Sequence, residues 1–95
     1  MERLTDLPNI GPVLAGNLKR IGVTSPDQLR AMGETEAFVK IRAQVDPEAC
    51  LHQLEALAGA VAGVRKTQLS PEKKAELKSW YQTLPKEAGR IMLMI

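Results

Sequence analysis

The chain has 95 residues and a net charge of +2, with hydrophobic residues at 44% and aromatic residues at only 3%. This length allows one domain with one hydrophobic core, which the composition predicts to be aliphatic. The mild charge lacks the pronounced basic excess of a dedicated nucleic-acid-binding domain. The single cysteine, Cys50, excludes an internal disulfide bond.

The sequence shows neither a targeting segment nor a membrane span. Residues 1–6 contain no apolar segment of a signal peptide. No stretch reaches the roughly 18 apolar residues that cross a membrane. We therefore expect a cytoplasmic protein without membrane contact, with a single domain over residues 1–95.

The N-terminal unit, residues 2–23, is predicted to be a short helical turn, a tight turn and an amphipathic helix. Pro8 and Asn9 favour the tight turn, because proline fixes φ and asparagine tolerates left-handed backbone conformations. Pro12 suits the first position of the helix, and Gly22 marks its end. Three apolar side chains of this helix share one face: Leu14, Leu18 and Ile21.

Two further helices are predicted in the next part of the chain. Ser25 is the expected N-cap of the first, Pro26 takes its first position, and Gly33 ends it. The second is predicted over Glu34–Gln44, with its apolar residues on one side: Ala37, Phe38 and Ile41.

A long helix is predicted from Asp46 onward. Asp46 is its expected N-cap, and Glu48 lies at the positive end of its dipole. Gly59 and Gly63 each cost about 1 kcal/mol in a helix relative to alanine, so we expect another helix to approach closely there. An apolar stripe makes this helix the expected centre of the fold, with Cys50 as a small buried hydrophobe: Cys50, Leu51, Leu54, Leu57, Ala58, Val61 and Val64.

The last predicted helix begins after the N-cap Ser70 and ends near Thr83. Its apolar stripe is expected to pack in the core: Leu77, Trp80, Tyr81 and Leu84. The tail, residues 86–95, finishes in five apolar residues: Ile91, Met92, Leu93, Met94 and Ile95. Such a tail either docks onto its own domain or binds a second copy of the chain.

The tight turn at residues 7–11, followed by a helix that stops at Gly22, resembles the helix-hairpin-helix motif. The resemblance implies that backbone N–H groups of the turn and the dipole of the next helix hold a DNA phosphate. The residues that would carry this contact lie in the turn and at the far end of the helix: Asn9, Ile10, Gly11, Lys19 and Arg20. Val13 stands where such motifs commonly carry a cation, so a packing role alone is the alternative interpretation.

The order of parts along the whole chain is more specific than a hairpin. A capped helix at Ser25, a glycine stop at Gly33, the small-residue segment 59–65 and a lysine-rich helix around Lys74 follow the turn. This order, over residues 4–84, resembles the C-terminal domain of the TfoX/Sxy family of bacterial competence regulators.

The family resemblance implies an all-α fold. The expected architecture is a compact bundle of about five helices, of the SAM-like type, with a helix-hairpin-helix-like unit at its N-terminus. In two-domain members this domain follows an N-terminal domain, and the proteins are linked to transcriptional activation of DNA-uptake genes. We expect a stand-alone copy here, whose regulatory role does not carry over automatically.

A second group of basic residues lies toward the C-terminus: Arg65, Lys66, Lys73, Lys74 and Lys78. Glu72 and Glu76 alternate with these lysines, so a solvated face with ion pairs is favoured over a nucleic-acid patch. A patch shared with Lys19 and Arg20 would instead bind DNA without regard to sequence and with a steep dependence on salt.

No arrangement of residues points to an enzyme, a cofactor or a small-molecule substrate. Glu48, His52 and Glu55 have a spacing that could hold a metal ion, but an exposed polar helix face is the favoured interpretation. Two functions stay open. One is a DNA-associated regulatory module that touches phosphate, and the other is a protein-interaction or self-association module without DNA binding, which uses the apolar helix surface and the tail.

Overall fold

The computed structural model describes residues 3–84, and this part of the chain contains helices and no strand. The α-helices are α1 (Pro12–Arg20), α2 (Pro26–Met32), α3 (Glu34–Gln44), α4 (Leu51–Ala62) and α5 (Pro71–Gln82). Two single 3₁₀ turns, Leu4–Asp6 and Lys66–Gln68, precede α1 and α5. The all-α fold with five helices is confirmed, and the helix-hairpin-helix character of the N-terminal unit stays a prediction.

The starts of α2 and α5 follow the predicted capping pattern. The Ser25 hydroxyl accepts a hydrogen bond from the Gln28 N–H at 3.2 Å, and the Ser70 hydroxyl accepts one from the Lys73 N–H at 3.1 Å. A proline occupies the first turn of each helix. Because the cap satisfies an N–H group that has no partner within the helix, these starts are fixed locally.

The predicted start of α4 at Asp46 is wrong. The Asp46 carboxylate accepts a hydrogen bond from the Glu48 N–H at 3.0 Å and so closes a turn, a local alternative to helix capping. Ala49 is then buried at 3% exposure, and α4 begins only after Cys50. Cys50 is exposed, so its predicted place in the apolar stripe is also wrong.

Helix α4 lies at the centre of the fold, as its remaining apolar stripe predicts. It packs against α2, α3, α5 and the second 3₁₀ turn. The largest fully buried side chains of the core are aliphatic apart from one phenylalanine: Leu18, Val23, Leu29, Phe38, Ile41, Leu54, Leu57 and Leu77.

The aromatic residues join α3 to α5. The ring of Phe38 is fully buried and meets Trp80 edge-on at a centroid distance of 6.2 Å and Tyr81 at 5.8 Å. Arg42 lies 5.4 Å from the centre of the Tyr81 ring, a favourable cation–π distance. The predicted packing role of the stripe Leu77, Trp80, Tyr81 and Leu84 is confirmed.

Within residues 3–84, none of the helices combines the length and the apolar content needed to cross a membrane. The tail at residues 86–95 lies outside the described residues. Its docking in cis or in trans therefore stays a prediction.

Candidate nucleic-acid interface

The hairpin turn, residues 7–11, connects the first 3₁₀ turn to α1. Leu7 and Ile10 anchor it, because both side chains are buried at 5% exposure. Asn9 between them has φ +69°, a left-handed conformation that asparagine tolerates better than most residues. Gly11 is exposed and forms the N-cap of α1. The turn therefore presents its backbone at the surface while its apolar side chains face the core.

The side chain of Asn9 bonds to a distant part of the chain. Its Nδ2 donates to the carbonyl of Val64 at 3.0 Å and, more weakly, to that of Ala56 at 3.4 Å. Its Oδ1 accepts a hydrogen bond from the Lys66 N–H at 3.0 Å. We call these three hydrogen bonds the Asn9 clamp. The clamp joins the hairpin turn to the end of α4 and to the second 3₁₀ turn.

Gly59 makes room for the clamp. A methyl group at this position would lie 2.5 Å from Asn9 Nδ2 and 2.6 Å from the Val64 carbonyl oxygen, which is shorter than van der Waals contact. Gly63 lies outside the helix and caps α4 with φ +78°. The prediction that both glycines mark a close helix crossing is wrong, because a side chain and a turn approach Gly59 instead.

The clamp brings two predicted basic residues beside the hairpin turn. Arg65 and Lys66, called here the basic pair, share the peptide group whose N–H, that of Lys66, donates to Asn9 Oδ1. Arg65 is exposed and Lys66 is half-buried. Within residues 3–84, no carboxylate lies within ion-pair distance of either side chain. The sequence predicted these residues in a separate patch, but the fold places the peptide group between them against Asn9 of the turn.

Several backbone N–H groups of the turn and of the first turn of α1 have no acceptor among the described residues: those of Asn9, Gly11, Val13 and Leu14. The Ile10 N–H donates to the Leu7 carbonyl at 3.4 Å. The sequence prediction named Ile10 and missed the two helical N–H groups. Pro12 at the first helical position was the sequence signal for these two groups, because the N–H groups that directly follow it come before the first hydrogen bond within the helix.

The other cations predicted to assist the turn lie away from it. Lys19 and Arg20 are exposed at the C-terminal end of α1. A rise of 1.5 Å per residue puts them about 12 Å along the helix from Gly11. The structure does not bring them together with the turn, and their role in DNA contact stays a prediction.

Lys73 has a structural partner. Its Nζ lies 3.0 Å from Glu34 Oε2 on α3 and 3.7 Å from Glu76 Oε1. The hydrogen bond to Glu34 raises the pKa of Lys73 despite some desolvation. Burial works to raise the pKa of Glu34, but the hydrogen bond and charge of Lys73 lower it overall. Lys73 thus ties α5 to α3.

The remaining predicted cations, Lys74 and Lys78, lie one helical turn apart on α5. Lys74 is half-buried and Lys78 is exposed. Neither has a carboxylate within ion-pair distance in the described part of the chain. The ion-paired face predicted for this group therefore holds for Lys73 and not for these two residues.

The three residues considered for a metal ion do not share one helix face in the structure. Glu48 precedes α4, so it does not share a helix face with His52 and Glu55. The His52 Nδ1 atom lies 3.8 Å from Glu55 Oε1. Among the described residues, no group of three or more His, Cys, Asp and Glu side chains is placed to hold a metal ion.

Comparison with known proteins decides the family. Residues 1–81 match the TfoX C-terminal domain family. The chain belongs to the TfoX/Sxy family. It is 33% identical over 89 residues to protein Sxy of Escherichia coli K12, a match that covers 90% of this chain and 41% of Sxy. The TfoX C-terminal domain seen here thus spans less than half of that relative.

Two crystal structures share this TfoX C-terminal fold. One is of an uncharacterized protein from Listeria monocytogenes, with 41% identity, a TM-score of 0.83, and coverage of 86% of this chain and 92% of the other. The second, of a Listeria monocytogenes protein of unknown function, has 42% identity, a TM-score of 0.81, and coverage of 84% and 96%.

Proposed function

We propose that this chain is a non-enzymatic regulatory module that contacts the phosphate backbone of DNA without reading its sequence. The single observation that carries the proposal is the Asn9 clamp, because it holds the backbone of the basic pair beside a turn in which the N–H groups of Asn9 and Gly11 have no acceptor among the described residues. Neither the hairpin turn nor the basic pair would make a phosphate site alone.

The chemistry of this surface suits an anion. Free N–H groups at a helix N-terminus point along the positive end of the helix dipole and favour a bound phosphate. Arg65 and Lys66 supply two full positive charges on the segment that bonds to Asn9. Contacts of this kind position a protein on DNA but do not discriminate bases. Binding is therefore expected to be weak, independent of sequence and strongly weakened by salt.

Membership of the TfoX/Sxy family supports a regulatory role in competence and transcription. Because the chain spans 41% of Sxy, this role is part of the proposal. A cytoplasmic location is part of the proposal too. No cofactor, metal ion or small-molecule substrate is invoked.

The test is a titration of fluorescently labelled duplex DNA at several salt concentrations, with two duplexes of unrelated sequence. The double variant Arg65→Ala, Lys66→Ala is compared with the matched variant Lys19→Ala, Arg20→Ala, which removes the same charge. If each member of the basic pair contacts one phosphate, its double variant lowers the salt slope by about 2. The matched variant is expected to keep a slope near that of the wild type.

Two results overturn the proposal. One is the absence of binding by the wild type at low salt. The other is an equal loss of slope in both double variants, which would mean that net charge alone drives the association.

A protein-interaction module is the second candidate, supported by one observation. Val13 at the start of α1 is 79% exposed, and Pro12 beside it is exposed as well. The variant Val13→Lys separates the candidates, because the added cation strengthens DNA binding and weakens apolar docking. The tail is tested separately by deleting residues 90–95 and measuring mass in solution, where an unchanged monomer rules out tail-mediated dimers.

A further inference from the structure

We infer that Asn9 is a positioning residue, which sets the place of Arg65 and Lys66 relative to the hairpin turn through the Asn9 clamp. This inference rests on the proposed DNA contact and adds a requirement to it. The cations and the free N–H groups must be held in a fixed relation to act on the same phosphate backbone.

The first support is the completeness of the clamp. The Asn9 amide uses its oxygen toward Lys66 and its nitrogen toward Val64 and Ala56. These partners lie 47 to 57 residues away in sequence. An asparagine that served only a left-handed turn would bond to its own neighbourhood or to water.

The second support is the shape of the opposite surface. Gly59 lies within α4, where glycine costs roughly 1 kcal/mol relative to alanine. A side chain there would collide with Asn9 Nδ2. The α4 surface at Gly59 therefore leaves the space that the Asn9 amide occupies.

The third support is chemical. Asn9 carries no charge, so its removal leaves the electrostatics of the chain unchanged. Any loss of DNA affinity on its removal must then come from the altered placement of other groups. The segment 64–66 follows the last turn of α4 and bonds to Asn9 at both Val64 and Lys66. Arg65 lies between these two bonds.

The test is a double-mutant cycle on the full chain. Asn9→Gly removes the clamp but accepts the left-handed backbone without steric cost. It is combined with the Arg65→Ala, Lys66→Ala pair, and affinity for a labelled duplex is measured at one low salt concentration. If Asn9 acts through these cations, each change weakens binding by roughly threefold to tenfold. In the triple variant the two losses do not add.

A structural measurement separates this inference from the proposed function. The amide exchange of Lys66 is followed by NMR in the wild type, with and without an unlabelled short duplex. Lys66 exchanges from the state in which its hydrogen bond to Asn9 is open. A duplex that binds the clamped state in preference to this open state slows the exchange by the same factor by which it shifts the equilibrium between the two states. This measurement needs no variant and serves if Asn9→Gly does not fold.

The outcomes are distinct. Wild-type binding with non-additive losses and slowed Lys66 exchange supports the inference. Binding with additive losses, or with unchanged exchange, overturns it while the proposed function stands. No binding by the wild type overturns the proposed function and with it this inference.

Discussion

The hairpin turn and the contact between α3 and α5 are held to the rest of the molecule by different means. Buried apolar side chains, with Phe38 against two aromatic rings, join α3 to α5. The hairpin turn has its own apolar anchors, Leu7 and Ile10, and the amide of one residue, Asn9, bonds it to the segment after α4.

The difference shows where single atoms matter. In the apolar contact many small dispersion terms share the stabilisation, and the cost of a change follows the volume removed. At the hairpin, directional hydrogen bonds fix the position of a backbone segment that carries two cations. The first contact sets stability, and the second sets the geometry of the candidate interface.

Removal of the Phe38 ring, in the apolar contact between α3 and α5, is expected to have the largest effect on stability. Phe38→Ala lowers the free energy of unfolding by about 3 to 5 kcal/mol, because Phe38 is fully buried. Urea unfolding followed by circular dichroism measures the loss. The neighbour Val39 is 37% exposed, and Val39→Ala serves as the control with a change below about 0.5 kcal/mol. A loss below about 1 kcal/mol in Phe38→Ala would contradict the packing described here.

Two glycine-to-alanine substitutions are expected to distinguish the steric effect of a side chain beside the Asn9 clamp from the general helix propensity of alanine. Gly59→Ala destabilises the fold by about 1 to 3 kcal/mol, since the methyl group meets the Asn9 amide and the Val64 carbonyl. Gly16→Ala in α1 meets nothing within 4 Å and stabilises by about 0.5 to 1 kcal/mol. Opposite signs in thermal or urea unfolding are expected. Stabilisation by both substitutions would refute the close approach of Asn9 to Gly59.

The ion pair between Glu34 and Lys73 is expected to give the smallest effect. Because Lys73 is partly exposed, Glu34→Gln lowers stability at pH 7 by no more than about 1 kcal/mol. The pKa of Glu34 is lowered in the fold, so the unfolded chain takes up the proton first. The contribution is therefore present above a pH of about 4 and is lost as the pH falls further.

The check is urea unfolding of wild type and Glu34→Gln at pH 7 and at pH 3. The gap in stability between the two proteins is expected to narrow as the pH falls from 7 to 3. A gap that stays constant over this range would show that the carboxylate does not act through its charge.

The sequence predicted the helices where the signals are local. Ser25 and Ser70 with their following prolines place α2 and α5, since each cap bonds within three residues. Asp46 offered an equally local signal, but a turn and a helix cap use the same carboxylate. The burial of Ala49 favours the turn, and such tertiary contacts are not visible in a local pattern.

The candidate interface was only partly predictable for the same reason. The hairpin turn and the basic residues were identified separately, while the clamp that joins them spans more than 50 residues of sequence. Gly59 was the one visible sign of a close contact. Its pattern with Gly63 is also typical of a helix crossing, and only the fold shows that a side chain fills the space.

The central claim is that the hairpin turn and the basic pair act as one phosphate-binding surface. The most direct measurement is the salt slope of duplex binding for the Arg65→Ala, Lys66→Ala variant against the Lys19→Ala, Arg20→Ala variant. The expected slope is lower by about 2 in the first variant and nearly unchanged in the second. Equal slopes in the two variants, or no binding by the wild type, would contradict it.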